Sequence, residues 1–444
     1  MATIASYLPE SQIITLSKDF PALTDPDELA GFKNPVQFGV FFHEWIHFLH
    51  NISTINGLSL FCTQIVLWSN FRWAMDNQDV CIGSIGMDQE NINFNKDFYS
   101  YIYSNRRLHH CELPSYVKLN ELLFENAEIS DFEVSNDQVT STSLINCTIL
   151  YCGKKYSLDI GVLEILESAA FMLECKFINA MNGSPQEAPF HPYQTVKGLA
   201  EGIAPSLNED DIVCCMLAAL QSNNAPYVLF NLLKDCELKH TDCRHENLVS
   251  LAKAQLKEQD ELIENSLDQI CSYFPNNEPM GNFIKLTIKR IKKNLAYRNE
   301  HPFFELDIIK NVAERNEMMN EVIRQFGGCT IIQKRYEDDE EPQCDIMYDF
   351  DLPENNESNL FGSKMLRACF HFMFLHYKSS GEIIKTESLD ESPSNKCPFY
   401  TVCCSSIRMS NSNVCAESPW KSMLINDNKD CYYAAAIKAT NPPT

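Results

Sequence analysis

The stretch Gln37-Phe38-Gly39-Val40-Phe41-Phe42-His43-Glu44-Trp45-Ile46-His47-Phe48-Leu49-His50 carries a single H-E-x-x-H inside an apolar run. Residues four apart share one face of a helix, so His43 and His47 can turn two imidazoles toward one metal ion. Glu44 lies about a third of a turn away, where its carboxylate reaches a water beside that ion rather than the ion itself. Phe41, Phe42, Trp45, Ile46, Phe48 and Leu49 surround the polar triplet, so the helix reads as buried on most sides. Two imidazoles and a carboxylate buried without partners would cost several kcal/mol, and a divalent metal satisfies them. The alternative is a pair of core histidines bonded to backbone carbonyls.

This segment resembles the active-site helix of the zinc-dependent metallopeptidases, the zincins. The resemblance implies a water acidified by zinc, with Glu44 as the base that takes its proton. The metzincin branch is excluded, because H-E-x-x-H-x-x-G-x-x-H would need Gly where His50 stands and His where Ser53 stands. His50 shares a stripe with His43, but seven residues span about 10 Å of helix, too far for one ion. It is left to a supporting, substrate-facing or purely hydrogen-bonded role.

A second informative helix runs Ile160-Gly161-Val162-Leu163-Glu164-Ile165-Leu166-Glu167-Ser168-Ala169-Ala170-Phe171-Met172-Leu173-Glu174. Gluzincins take a third zinc ligand from a glutamate on a downstream helix. Helical angle puts Glu164 opposite the apolar arc, toward solvent, and puts Glu167 and Glu174 at its border. Glu167-Ser168-Ala169-Ala170 resembles the Glu-Gly/Ser-x-Ala of many gluzincins, which implies Glu167 as the third ligand. The small residues after it would let another helix come close. No Asp follows four residues after Glu167 to orient a zinc-bound histidine, so those supporting contacts must be built differently. The resemblance also implies a Tyr or His donor for the oxyanion. Tyr193, or His191 beside it, follows the ligand helix closely enough to serve; the other reading of Tyr193 is that it merely opens the helix Gln194–Ile203.

Sixty acidic against 36 basic residues give the 444-residue chain a net charge of −24. That argues against nucleic acid or an anionic membrane as the main partner. The nineteen cysteines are scattered and odd in number, with adjacent pairs at Cys214-Cys215 and Cys403-Cys404, which reads as a reducing compartment. Met1-Ala2-Thr3-Ile4-Ala5-Ser6-Tyr7 shows no charged segment before a long apolar one, and Leu58–Trp68 is too short to span a bilayer. A cytoplasmic protein is expected.

The organisation predicted from sequence is α+β: a zincin-like catalytic core, with a small sheet, the H-E-x-x-H helix and the Glu167 helix, then a large, mainly helical C-terminal part. A core over 1–205 precedes a helical domain over 206–335, an acidic loop over 336–358 and a helix with a Cys-rich segment over 359–444. Gln12–Leu16 reads as a strand and Asp25-Pro26-Asp27-Glu28 as a turn or helix start. Pro35 suits the first turn of the motif helix, and Asn56-Gly57 marks a turn after it. Asp131–Val139 and Ile145–Ile160 read as strands, the latter folded at Tyr151–Tyr156. Few residues precede the motif helix, so this later region is expected to supply the sheet beside it. Helices are expected over Asp210–Gln221, Pro226–Asp235, His245–Phe274, Met280–Tyr297, Phe304–Phe326 and Leu360–Tyr377. Cys397, Cys403, Cys404 and Cys415 suggest a second, structural zinc, although their spacing is not that of paired C-x-x-C motifs.

The function expected from these residues is a zinc-dependent intracellular endopeptidase acting on a protein or peptide substrate under a regulatory partner. Two alternatives stand beside it: a zinc hydrolase of a non-peptide substrate, and a helical interaction subunit with a structural zinc. Glu44 separates them, because a structural site needs no base and is more often closed by four protein ligands.

Overall fold

The computed structural model describes residues 4–18, 20, 34–85, 87–132, 142–274, 279–314, 318–335, 345–389, 395–425 and 429–441. The Asp25–Glu28 turn, residues 133–139 of the first predicted strand and the acidic run Glu337–Glu341 lie outside them.

The motif helix α1 spans Pro35–Ser53. It starts where the Asn34 side chain accepts a hydrogen bond from the Val36 amide at 2.9 Å, with Pro35 in the first turn. It stops at Thr54, whose Oγ1 accepts from the Gly57 amide at 3.1 Å and so opens α2, Ile55–Phe71. The corner is tight: a Cβ on Gly57 would meet the carbonyl oxygens of His50 and Asn51 at 2.5 Å, which only glycine avoids. Further helices are α3 (Gln89–Arg106), α4 (Val162–Ala180), α5 (Thr195–Ile203), α6 (Glu209–Ala219) and α7 (Ala225–Glu237). Then follow α8 (Thr241–Glu258), α9 (Asp260–Ser272), α10 (Pro279–Glu300), α11 (Phe304–Glu314), α12 (Met318–Phe326) and α13 (Glu357–His376). Short helices α14 (Ser406–Ser410), α15 (Ser412–Glu417) and α16 (Tyr432–Ala439) close the chain. Two of the predicted long helices are each a pair, broken at Gln259 and between α11 and α12. α3 was hidden from the sequence because Asn91, Asn93, Asn95 and Asp97 interrupt its apolar period, although Asn95 and Asp97 are buried.

Two small sheets complete an α+β fold. Strands β1 (Ala5–Leu8) and β2 (Ile13–Leu16) form a hairpin. β2 also pairs in parallel with β6 (Thr330–Gln333), which pairs antiparallel with β7 (Ile346–Tyr348), giving the order β1-β2-β6-β7. The other sheet is the meander β3 (Leu123–Phe132), β4 (Thr142–Tyr151) and β5 (Lys154–Ile160). Its β4–β5 turn is the predicted one, with Cys152 and Gly153 at φ +48° and +75°, as a two-residue hairpin loop requires.

The sheet beside α1 differs from the sequence expectation. β1 packs on α1, whereas the meander lies against α5 and α7. β2 is almost wholly apolar and buried, so it needs a neighbour on its far side; that neighbour is Thr330-Ile331-Ile332-Gln333, distant in sequence and invisible to local patterns. The pairing joins residues from both sides of the expected boundary at 205/206, and the buried apolar side chains form one cluster from Ile13 to Ala439.

Arg298 of α10 is fully buried and fastens the end of α1. Its Nε donates to the Ser53 carbonyl at 2.6 Å and its Nη2 to Ser53 Oγ at 2.8 Å, while Nη1 donates to the Pro302 carbonyl at 2.9 Å. Glu305 of α11 accepts from both terminal nitrogens. Among the described residues no single helix is long and apolar enough to cross a membrane; the apolar pair α1–α2 is bent by 73° and buried inside the fold.

Candidate metal centre

Aromatic packing sets α1 against α4. Phe177 stacks on Phe42 with centroids 4.4 Å apart and takes Phe38 edge-on at 5.0 Å. One turn before His43, Gly39 lets α4 come close: a Cβ there would meet Ile178 Cγ1 at 2.4 Å and Glu174 Cγ at 3.4 Å. Small residues do bring the two helices together, but the decisive one is on α1.

This approach gathers three candidate ligand residues, with Glu167 turning one carboxylate oxygen to each imidazole. His43 Nε2 and His47 Nε2 lie 3.1 Å apart. His43 Nε2 is 3.4 Å from Glu167 Oε2, and His47 Nε2 is 3.6 Å from Glu167 Oε1. Four ligands at about 2.0–2.1 Å around a tetrahedral zinc are about 3.3 Å from one another. The separations between these three residues have that size, and they are the one group of three that offers ligand atoms all within 4.8 Å among the described residues. Glu167 is held well below the usual carboxylate range: burial opposes this, but the His47 charge and hydrogen bonds from both imidazoles outweigh it.

Glu174, two turns beyond Glu167 on the same face, accepts a hydrogen bond from His43 Nδ1 at 3.0 Å. That contact orients the ring and turns its Nε2 toward Glu167 and His47, so Nε2 is the nitrogen that would meet a metal ion once its proton is lost. Burial works against charging the His43 ring, but Glu167 and Glu174 prevail and raise its pKa well above the ordinary value. The sequence placed Glu174 at the border of the apolar arc without separating its role from that of Glu167. Glu174→Ala is expected to weaken metal affinity about 10- to 100-fold while leaving the fold intact, measured by competition with a chromogenic chelator.

Glu44 is only 8% exposed and lines the same cleft as the triangle. Burial raises its pKa; the imidazoles of His43 and His47 oppose the rise, and Glu167 and Glu174 add to it. The Tyr193 ring centroid is 6.0 Å from that of His43. Burial, followed by Glu167 and Glu44, pushes its hydroxyl up to about 12, so it keeps its proton and can donate. Ser168 ties this segment to α4, its Oγ donating to the Pro192 carbonyl at 2.9 Å and accepting from the Val196 amide at 3.3 Å. One helix therefore places both Glu167 and Tyr193.

Other candidates lie elsewhere. His191 is 3.5 Å from Glu164 Oε1 and outside the metal triangle. Glu164, expected on the solvent face, is fully buried. It caps α4 by accepting from the Gly161 amide at 2.9 Å, and takes the His109 amide at 2.5 Å and the His109 ring at 3.0 Å. Helical angle missed this because the covering group comes from the loop after α3. His50 is buried against Glu305 Oε1, 3.3 Å away. Cys404 is exposed, outside the cavity lined by Cys397, Cys403, Cys415 and Cys431, so it does not belong with the other expected thiol ligands.

The cleft over the triangle has a volume of about 350 Å³, and β1 forms one wall. The Tyr7 ring lies parallel to that of His47, and Asn51 of α1 donates to the Tyr7 hydroxyl at 3.1 Å and to the Pro9 carbonyl at 3.3 Å. Arg106, paired with Glu10 at 3.1 Å, stands on the same wall. No pattern near residue 7 or residue 106 marks these groups in the sequence. No protein-family model, curated protein or solved structure matches the chain.

Proposed function

We propose that this chain is a zinc-dependent endopeptidase. The observation that carries the reading is the triangle of His43, His47 and Glu167, with edges of 3.1–3.6 Å, opening on the cleft that also holds Glu44 and Tyr193. Zinc held there supplies an acidified water and a Lewis-acid contact for a carbonyl. Glu44 takes a proton from the attacking water and returns it to the leaving amine. Its buried setting suits it to accept that proton. Tyr193 donates to the oxyanion of the addition intermediate. Glu174 keeps His43 in the productive orientation. β1 is an edge strand and lines the cleft, which favours a substrate laid alongside it in extended form.

The test is metal analysis and peptide cleavage on the same preparations. His43→Ala and Glu167→Ala are each expected to lose one zinc equivalent, and with it cleavage of a proteome-derived peptide library, scored by new termini in mass spectrometry. Tyr193→Phe is expected to keep the metal and lose about 10²–10³-fold in kcat. Wild type that is fully loaded at this site yet cleaves nothing in the library would overturn the reading.

A further inference from the structure

The C-terminal segment holds a second cluster with its own logic. Cys397, Cys403, Cys415 and Cys431 all line one small enclosed cavity between α14, α15 and α16, of about 10 Å³. That is room for a single small occupant. The Cys397 amide donates to the Cys415 carbonyl at 2.8 Å, tying two of the cysteine-bearing segments together. The Ser405 amide donates to Cys403 Sγ at 3.5 Å, and the amides of Phe399 and Ala434 donate to the sulfurs of Cys397 and Cys431. Backbone amides aimed at sulfur are the kind of outer contact that orients a ligating cysteine.

An independent observation points the same way. Arg408 lines this cavity and is 1% exposed. Its Nε donates to the Tyr400 carbonyl at 2.7 Å and its guanidinium lies 3.8 Å from the Tyr400 ring centroid, but its Nη2 is buried with no hydrogen-bond partner. No carboxylate among the described residues pairs with it. A second guanidinium, Arg367, stacks over Phe399 at 5.1 Å, and its Nη1 is likewise buried without a hydrogen-bond partner. Buried guanidinium stays charged and needs compensating negative charge close by. Metal-bound sulfurs around this cavity would supply that charge.

We infer that Cys397, Cys403, Cys415 and Cys431 bind a thiophilic divalent cation, zinc by ligand type, as a closed four-sulfur site whose excess negative charge Arg408 and Arg367 balance. No three of these sulfurs fall within 4.8 Å of one another as the His43, His47 and Glu167 atoms do, so binding requires the cysteine side chains to turn inward to other rotamers. Cys404 takes no part, and the site is structural, pinning α16 to the loop before α14.

The test uses the full chain purified under reducing conditions. Wild type is expected to hold two zinc ions, His43→Ala/His47→Ala one, Cys431→Ser one, and Cys404→Ser two. Cobalt(II) loaded into His43→Ala/His47→Ala is expected to show thiolate-to-cobalt charge transfer and tetrahedral d–d bands, a readout that survives even if Cys431→Ser fails to fold. A folded His43→Ala/His47→Ala protein with no bound zinc and no thiolate absorption would overturn the site. Loss of metal in Cys404→Ser but not in Cys431→Ser would overturn the ligand set. One zinc retained in the histidine variant, with the thiolate spectrum, supports this site whatever becomes of the peptidase reading.

Discussion

Glu44→Gln is expected to keep its zinc and lose about 10²–10⁴-fold in turnover. The amide has nearly the shape of the carboxylate, so the packing of α1 and the His43–His47–Glu167 triangle should survive. What it cannot do is take a proton from water. Burial raises the Glu44 pKa, which makes the carboxylate a better base than an exposed glutamate. The acid limb of kcat/KM in the wild type is therefore expected to rise as Glu44 loses its proton, and this limb should be missing from any residual activity of the variant. Metal content matching the wild type, with turnover down by that factor, is the signature of a base. Unchanged turnover in a metal-loaded Glu44→Gln protein would remove the assignment and leave the triangle without a catalytic reading.

Arg298→Met is expected to cost about 3–5 kcal/mol of stability, read from urea unfolding. The loss has two sources. Glu305 would stay buried with only His50 beside it in place of the guanidinium, and the Ser53 carbonyl and hydroxyl at the end of α1 would lose their donors. The pH dependence gives a sharper check. Burial works against the charged form of Glu305, but the Arg298 charge, helped by His50, outweighs it and holds the carboxyl at about 2. A folded pKa below the unfolded value of about 4.3 contributes stability that is complete above about pH 5 and is lost as pH falls toward 2. In Arg298→Met the shift reverses, since burial is the largest influence on Glu305 and the charge that outweighed it is gone. Acidification then removes a poorly compensated charge, and the deficit relative to wild type is expected to begin shrinking above the unfolded pKa of about 4.3 and to go on shrinking as pH falls. Arg298→Met/Glu305→Met should recover part of the stability, with the orphaned Ser53 groups accounting for the remainder. A deficit independent of pH would show that packing, not the buried pair, sets the cost.

The His43–His47–Glu167 group was legible because it is written in helical spacing. His43 and His47 are one turn apart, and their facing follows from 3.6 residues per turn whatever surrounds them. Glu167 could be chosen on helical angle and on the small residues after it, and the structure sets it against both imidazoles. The same rule failed for Glu164, because angle reports which way a side chain leaves its own helix and says nothing about which distant loop covers it.

From its residues alone, the sequence determined where α1 and α4 run, which apolar side chains on them face inward, and that two imidazoles and a carboxylate would be buried together if those helices met. These are consequences of local geometry and of the cost of burying polar groups. Only the tertiary structure decided the rest: that Gly39 lets the helices meet, that Glu174 rather than an Asp one turn on orients His43, and that the cleft wall is β1 held by a strand from residues 330–333. It also exchanged Cys404 for Cys431 in the thiol cluster. The reason is common to all four. Each depends on contacts between segments far apart in the chain, and such contacts leave no periodic trace in either partner.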